Sequence, residues 1–311
     1  MAIFTNTFLT FSAIGNREDL SDMIYNISPT ETPFMGAIGK TTASAVLHEW
    51  QTDALAAAGA NAQLEGDETS FGAVTATSRL GNRCQISSKS VVVSGTQDEV
   101  KKAGRTREMT YQLMLRSKEL RNDQEFTLTN NQAPVVGNST TARALRPLCS
   151  WYTTNDSRGA SGADGSTTTA ATDGTQRALT ESLCKTVMQN VWTAGGDVDM
   201  WMTGAFNKTV ISGFSGNHTR TQDTVNKKLV TALDVYASDF GTHKIVANRF
   251  SRSRDLHMLD TSMWAMAVLR PTKTYDLAKT GDATKALVLT EYTLEARNEA
   301  ASGIVADLTT S

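Results

Sequence analysis

The run Thr96 to Thr129, TQDEVKKAGRTREMTYQLMLRSKELRNDQEFTLT, constrains this chain more than any other stretch. Its spacing predicts one continuous helix of roughly 30 residues, some 45 Å long at about 1.5 Å per residue. Thr96 followed by Glu99 fits a capping box, in which the hydroxyl and the carboxylate satisfy amides that the first turn leaves unpaired. At about 3.6 residues per turn, Arg105, Glu108, Gln112, Arg116, Glu119 and Asp123 form one polar stripe. Ala103, Thr106, Thr110, Leu113, Met114, Ser117 and Leu120 fall on the other side. That second face is small and only mildly apolar, and Gly104 costs the helix roughly 1 kcal/mol. Such a helix is marginal alone in water, so it predicts a platform: a spine lying on a sheet.

With 311 residues, 40% of them hydrophobic and 20% charged, the chain can build a core, and its length suggests about two domains. Thirty basic residues against 32 acidic ones, net −2, exclude a general field that would draw the chain onto nucleic acid or an anionic membrane. The opening MAIFTNTFLTFSAIGNRED has no basic segment followed by a continuous apolar one, and the run Met263 to Leu269 is too short to span a bilayer. A cytoplasmic product without membrane association is expected. Cys84, Cys149 and Cys184 are widely spaced and odd in number, which suits reduced buried thiols.

Residues 1–43 read as an arm, Pro-broken at ISPTETPF, with one short helix over 19–27 whose face carries Leu20, Met23, Ile24 and Ile27. Ser44 to Asp53 and Ala73 to Leu80 have strand character and enclose an Ala-, Gly- and acid-rich tip, so 44–95 predicts a long hairpin followed by a strand, Cys84 to Val93. A two-stranded hairpin is marginal by itself, so this one predicts a neighbour to lie on. Residues 96–179 hold the spine and an insert, of which Asp156 to Thr175, rich in Gly, Ala, Ser and Thr, reads as a flexible surface loop. Residues 180–270 form an α/β region: a helix through Leu183, Val187 and Val191 ending at Gly195 and Gly196, a strand Asp199 to Thr203, a helix Phe206 to Ile211, and strands Leu229 to Ser238 and His243 to Asn248 around the turn Asp239, Phe240, Gly241. Residues 271–311 return to the spine. There Lys285 to Arg297 alternates as a long strand, wet on the face of Glu291, Thr293 and Glu295, and is the candidate platform.

Chemistry is poorly represented. MGAIGKTT, Met35 to Thr42, lacks the first glycine of a phosphate loop, since Phe34 stands there, and no strand precedes it. His48, His218, His243 and His257 are isolated from each other and from the cysteines, so metal-ligand spacing is absent. Asp197 and Asp199 read as turn and edge residues. No catalytic residue, cofactor or metal is expected. Glu65, Asp67 and Glu68 crowd the hairpin tip; calcium is conceivable there, and a solvated or partner-paired tip is the preferred reading. Arg249, Arg252 and Arg254 form the one dense basic patch. With Arg105 and Arg116 of the spine, these residues are the candidates for contacts between subunits.

The order of arm, hairpin, spine, insert, α/β region and returning strand resembles the major capsid proteins of tailed bacteriophages, an α+β architecture known as the Hong Kong 97-like fold. GNREDLSDMIYNISPTETPFMGAIGK, VSGTQDEVKKAGR, SKELRNDQEF, GAFNKTVISGFSG, VYASDFGT, LRPTKTYDLAKTGD and EYTLEARNEAASGIVADL are similar to the major head protein family typified by phage SU-ten. That resemblance implies a non-enzymatic shell protein forming pentamers and hexamers, an icosahedral head around packaged double-stranded DNA, and assembly in the host cytoplasm into a virion. By the same resemblance, 44–95 is the extended loop, the spine and terminal strand the peripheral domain, and 180–270 the axial domain. Scaffolding, portal and decoration proteins would be separate chains. Some relatives weld subunits through a loop lysine, but Thr41 to Ser88 contains none, so non-covalent contacts are expected. A nanocompartment shell of the same fold is the nearer rival, and a soluble hydrolase on 180–270 the remoter one.

Overall fold

The computed structural model describes residues 27–66, 68, 71–214, 222–223, 228–229 and 234–311. The helix expected over 19–27 lies, but for Ile27, outside the described residues, as does Asp67. In chain order the elements are α1 (Pro33–Ala37), β1 (Gly39–Thr42), β2 (Leu47–Thr52), β3 (Ser78–Arg83), β4 (Gln85–Ser94), α2 (Gly95–Glu99) and α3 (Glu108–Thr129). There follow β5 (Asp156–Ser157), α4 (Glu181–Thr193), β6 (Met200–Thr203), α5 (Ala205–Ser212), β7 (Gln222–Asp223), β8 (Lys228–Leu229), β9 (Val235–Ser238) and β10 (Gly241–Ala247). The last are β11 (Leu256–Leu259), β12 (Trp264–Leu277), β13 (Ala283–Ala296) and β14 (Gly303–Val305).

Two sheets carry the molecule. One has the order β1-β12-β13-β4, the other β5-β14-β11-β6-β10-β9, while β2-β3 and β7-β8 are separate pairs. In β6, Met200 and Met202 enter a core with Phe34, Leu128, Trp151, Tyr152, Trp264 and Leu294. Trp201 points the other way, into a second core with Val187, Met188, Val191, Ile211 and Met258. With both faces buried, the central strands β6 and β11 read as nearly unbroken apolar runs, MWMT and LHML, instead of alternating. α4 covers the second face. Thr180 caps it by accepting from Leu183 N at 3.4 Å, and Gly195, at φ 89°, ends it where the chain must turn left-handed.

The spine departs from the continuous helix that the spacing predicts. Ser94, not Thr96, caps α2 by accepting from Gln97 N at 3.3 Å, and α2 stops at Glu99. Gly104, at φ 73°, turns the chain, and α3 starts at Glu108. The Asp98 carboxylate bridges the break by accepting from Met109 N at 3.2 Å, which holds its pKa below the usual carboxylate range.

The stripe facing the sheet is also not the expected one. Glu108, Gln112, Arg116, Leu120, Gln124 and Leu128, four residues apart, run along the inner side, while Thr106, Thr110, Met114 and Ser117 are exposed. Leu113 and Leu120 face as expected, and Met109 and Leu113 pack on Val91, Val93 and Ala286. β4 therefore shares the platform with the expected β13, and Lys89 of β4 pairs with Asp123 at 2.7 Å.

Two further regions differ. The expected wet face of β13 is buried: Glu291 meets Arg143 at 2.5 Å and Arg270 at 2.7 Å, and Glu295 meets His48 and Arg297 at 3.0 Å each. The tract 156–175 is a packed loop. Asp307 Oδ2 accepts from Gly159 N at 2.9 Å and Oδ1 from Gly174 N at 2.8 Å, and Ala163 bridges Thr172. Its glycines serve closeness, since a Cβ on Gly159 would overlap the Thr175 carbonyl oxygen and one on Gly174 would lie 2.7 Å from that of Gly159. Residues 33–42, read as arm, belong to the body: Phe34 is fully buried and β1 pairs in parallel with β12. β14 joins the second sheet, although 271–311 reads as wholly returning to the spine. The substitution Gly159→Ala should lower stability by about 1–3 kcal/mol through overpacking against immovable backbone. A urea midpoint unchanged from the parent would contradict the packed-loop assignment.

Candidate assembly interface

The hairpin β2-β3 stands on a rigid root. Trp50 Nε1 donates to the Ala296 carbonyl at 2.7 Å, and its ring lies 5.6 Å from that of Trp151. Asn82 Nδ2 donates to the carbonyls of Leu294 at 2.8 Å and Arg146 at 3.0 Å, while its Oδ1 accepts from Arg146 N at 2.8 Å. The Arg146 guanidinium lies 4.1 Å above the Trp151 ring and donates to Ser150 O at 2.6 Å. Burial pulls its pKa down to about 10. Trp50, Asn82 and Arg146 thus each find partners for their buried polar groups, so the base of the hairpin is fixed to β13.

Between Thr52 and Ser78 the described residues form no strand, and the expected second strand starts later than its pattern suggests. Along this tip Leu55 is 99% exposed, Leu64 79%, Phe71 95% and Val74 97%. Fully burying a side chain of this size is worth about 1.5–3 kcal/mol, so the four together represent roughly 6–12 kcal/mol of burial that the chain does not make with itself. Tyr275 and Leu277, at the far end of the β12-β13 ribbon, and Met114 and Phe126 on the spine are exposed too. Exposed apolar surface gathered on projecting elements marks an interaction surface.

The charged candidates divide. Glu65 and Glu68 are exposed at the tip. Arg105 pairs with Glu108 and Arg116 with Glu119, at 2.6 Å for the latter, both within or just before α3. Arg252 turns inward to Asp173 at 2.5 Å and Asp255 at 3.2 Å, and Arg254 to Asp173 at 3.0 Å and Asp307 at 2.7 Å. Both are thus held by carboxylates of their own chain, for which the sequence offered no signal because Asp173 and Asp307 lie far away along it. Arg249 is exposed. The missed participants are Trp50, Asn82 and Arg146, whose roles depend on contacts made across the whole chain.

Electrostatics elsewhere supports structure. Asp199 accepts from Thr261 N at 3.1 Å, a turn role. Burial pushes the Cys84 thiol up to about 11 and those of Cys149 and Cys184 up to about 12, and it pulls His257 down to about 3. Among the described residues, no group of three or more His, Cys, Asp and Glu side chains could hold a metal ion, and no helix is long and apolar enough to cross a membrane.

A double-sheet body, a spine helix and a projecting hairpin with unspent apolar side chains define a shell-building protein of the Hong Kong 97-like fold. The model of the SU10 major capsid protein family matches residues 3–309, and the chain belongs to that family of phage head proteins. It is 26% identical over 337 residues to the major capsid protein of Escherichia phage Phieco32, covering 96% of each chain. Among solved structures it resembles the capsid of cyanophage A-1(L), with TM-score 0.67 and 14% identity over 99% of this chain and 100% of that one. It also resembles the capsid of a native GTA particle, with TM-score 0.65 and 9% identity over 96% and 98%.

Glu295 offers a test of the root. Burial raises its pKa, but donors from His48, Arg297 and Thr41 outweigh burial and leave it below the usual glutamate range. A depressed carboxyl stabilises the fold above its ordinary pKa and loses that contribution as pH falls through the depressed value. Glu295→Gln should therefore destabilise at neutral pH by about 1–3 kcal/mol, as for a charged hydrogen-bond acceptor, and by less in acid. An equal difference at both pH values, measured by urea unfolding, would refute this role.

Proposed function

We propose that this head protein closes pentamers and hexamers into an icosahedral shell around packaged double-stranded DNA, using one set of surfaces in both rings. The observation that carries the reading is the pairing of a fixed hairpin root with a tip whose apolar residues have no partner in the chain. Heterologous contacts generate rings when the rotation closes, and a projecting loop can cross from one copy to the next. An interface of about 1,600 Å² at about 25 cal/mol/Å² gives tens of kcal/mol gross, mostly offset by ordering and association. Single contacts remain reversible, and many together do not.

In this reading the hairpin of 44–84 is the extended loop, shorter than the 44–95 expected because β4 lies under the spine, and the spine with β4 and β13 is the peripheral domain. The region 180–270 is then the axial domain whose tips meet at fivefold and sixfold axes. Assembly takes place in the host cytoplasm, and scaffolding, portal and decoration proteins are separate chains. The shell does no catalysis of its own. DNA is held without sequence-specific contacts, in keeping with the net charge of −2.

Deleting Ala54 to Gly72 should permit capsomers but prevent closed shells or leave them fragile, as seen by electron microscopy and size exclusion. Unaltered, equally stable particles would remove the tip from the assembly contacts. Because Thr41 to Ser88 holds no lysine, purified particles should give a single monomer band on a boiled, reduced gel. A ladder of covalent oligomers would contradict a non-covalent shell.

A further inference from the structure

β14, which follows every other strand in the chain, is an interior strand. It pairs in parallel with β5 through Ile304 and Val305, and antiparallel with β11 from Leu256↔Val305 to Met258↔Gly303. Alternation along 304–306 divides the segment between the two cores, Ile304 and Ala306 entering the first and Val305 the second, and Leu308, beyond the left-handed turn at Asp307, joins the second; all four are buried. Gly303 fits because it has no side chain, since a Cβ there would lie 2.9 Å from the Asn155 carbonyl oxygen and press into Val187.

Polar contacts repeat the pattern. Ser302 Oγ accepts from Trp264 Nε1 at 2.9 Å and from Asp260 N at 3.1 Å. Asp307, buried and at φ 60°, gathers Gly159 N, Gly174 N and Arg254, and its carbonyl accepts from Arg177 N at 2.8 Å. Leu308 N donates to Arg254 O at 2.9 Å, and Asn207 Nδ2 to Thr309 O at 3.2 Å.

Eight residues thus close the insert, α4, α5, β11 and β12 around one strand. Without them β5 and β11 would lose the strand between them, and the buried carboxylate that organises the glycine-rich loop would be missing. An unfilled strand position at the centre of this sheet, where both faces are buried, leaves backbone groups and apolar surface unsatisfied on two sides.

We propose that residues 302–309 act as a folding latch on assembly: the second core, and with it an assembly-competent subunit, forms only when this segment has been inserted. Chains lacking it are therefore kept out of shells. The folding half is independent of the proposed function, and the exclusion half rests on it.

The folding half is tested with the full chain joined to an arrest sequence by a spacer that either holds 302–309 inside the ribosomal tunnel or releases it. Protease resistance of 181–212, which spans α4, β6 and α5, is expected in the stalled chain only with the long spacer. Resistance with the short spacer, or sensitivity with both, overturns the latch.

The exclusion half is tested by co-expressing the full chain with a tagged chain lacking 303–311 and comparing tag abundance in particles and lysate by mass spectrometry. Loss of the truncated chain from the particles is expected, and incorporation at the lysate ratio overturns the proposal. A full-length chain carrying the same tag should enter normally, whereas no particles from that control would count against the shell reading instead.

Discussion

The centre of the six-stranded sheet, formed by β14, β11 and β6, is buried on both faces, and that condition governs the rest of the structure. A strand in such a sheet must satisfy two apolar environments at once, so Met200, Trp201 and Met202 are all sheltered although they point in opposite directions. The first face needs the other sheet, the spine's Leu128 and the start of the body at Phe34. The second needs α4 and α5. One layer therefore couples segments that are distant in sequence, and the hairpin root inherits its rigidity from the same packing through Trp151 and Leu294.

A buried carboxylate connects the spine to the start of the body. Glu125 Oε1 accepts from Phe34 N at 2.8 Å and Asn248 Nδ2 at 2.7 Å, and Oε2 accepts from Met35 N at 2.9 Å. Burial raises its pKa, and these donors act against that rise. Removing one partner from such a site costs more than the pair is worth, because the remaining groups stay desolvated. The spine is thus held by a buried polar group as well as by the apolar contacts of Leu128, Met109 and Leu113.

That mode of attachment explains what could be read from the sequence and what could not. α4, α5, β6, β10 and β13 were legible because their apolar residues follow a helix or strand period, or form a short run bounded by turn residues. The order of elements and the family resemblance were legible as well. The break in the spine was hidden because Gly104 is a single weak signal, while the cap across it comes from Asp98, ten residues before Glu108. Its inner face was misjudged because Glu108, Gln112 and Arg116 look solvent-facing until their sheet-side setting is known. β12 was invisible because Pro271 argues against a strand, yet it sits where the pairing of β12 and β13 is irregular, between Arg270 and Lys273. In the candidate interface, exposure of the tip was foreseeable from composition, whereas the inward pairing of Arg252 and Arg254 required knowing where Asp173 and Asp307 return.

The glycine-rich insert carries the general point furthest. Low complexity ordinarily signals a loop that cannot pay for its own ordering. Here the ordering is supplied from outside, by Asp307 reaching two amides of the tract and by Arg254 closing on Asp173 and the Gly174 carbonyl. Glycine is needed because backbone lies against backbone, so the same residues that would loosen an isolated loop allow this one to be drawn tight. The tip of the hairpin has a comparable composition but no such organiser among the described residues, and Leu55, Leu64, Phe71 and Val74 stay exposed. The difference between the two segments lies in the partner: for the insert it is Asp307 and Arg254 of the same chain, whereas Leu55, Leu64, Phe71 and Val74 of the tip are left facing solvent.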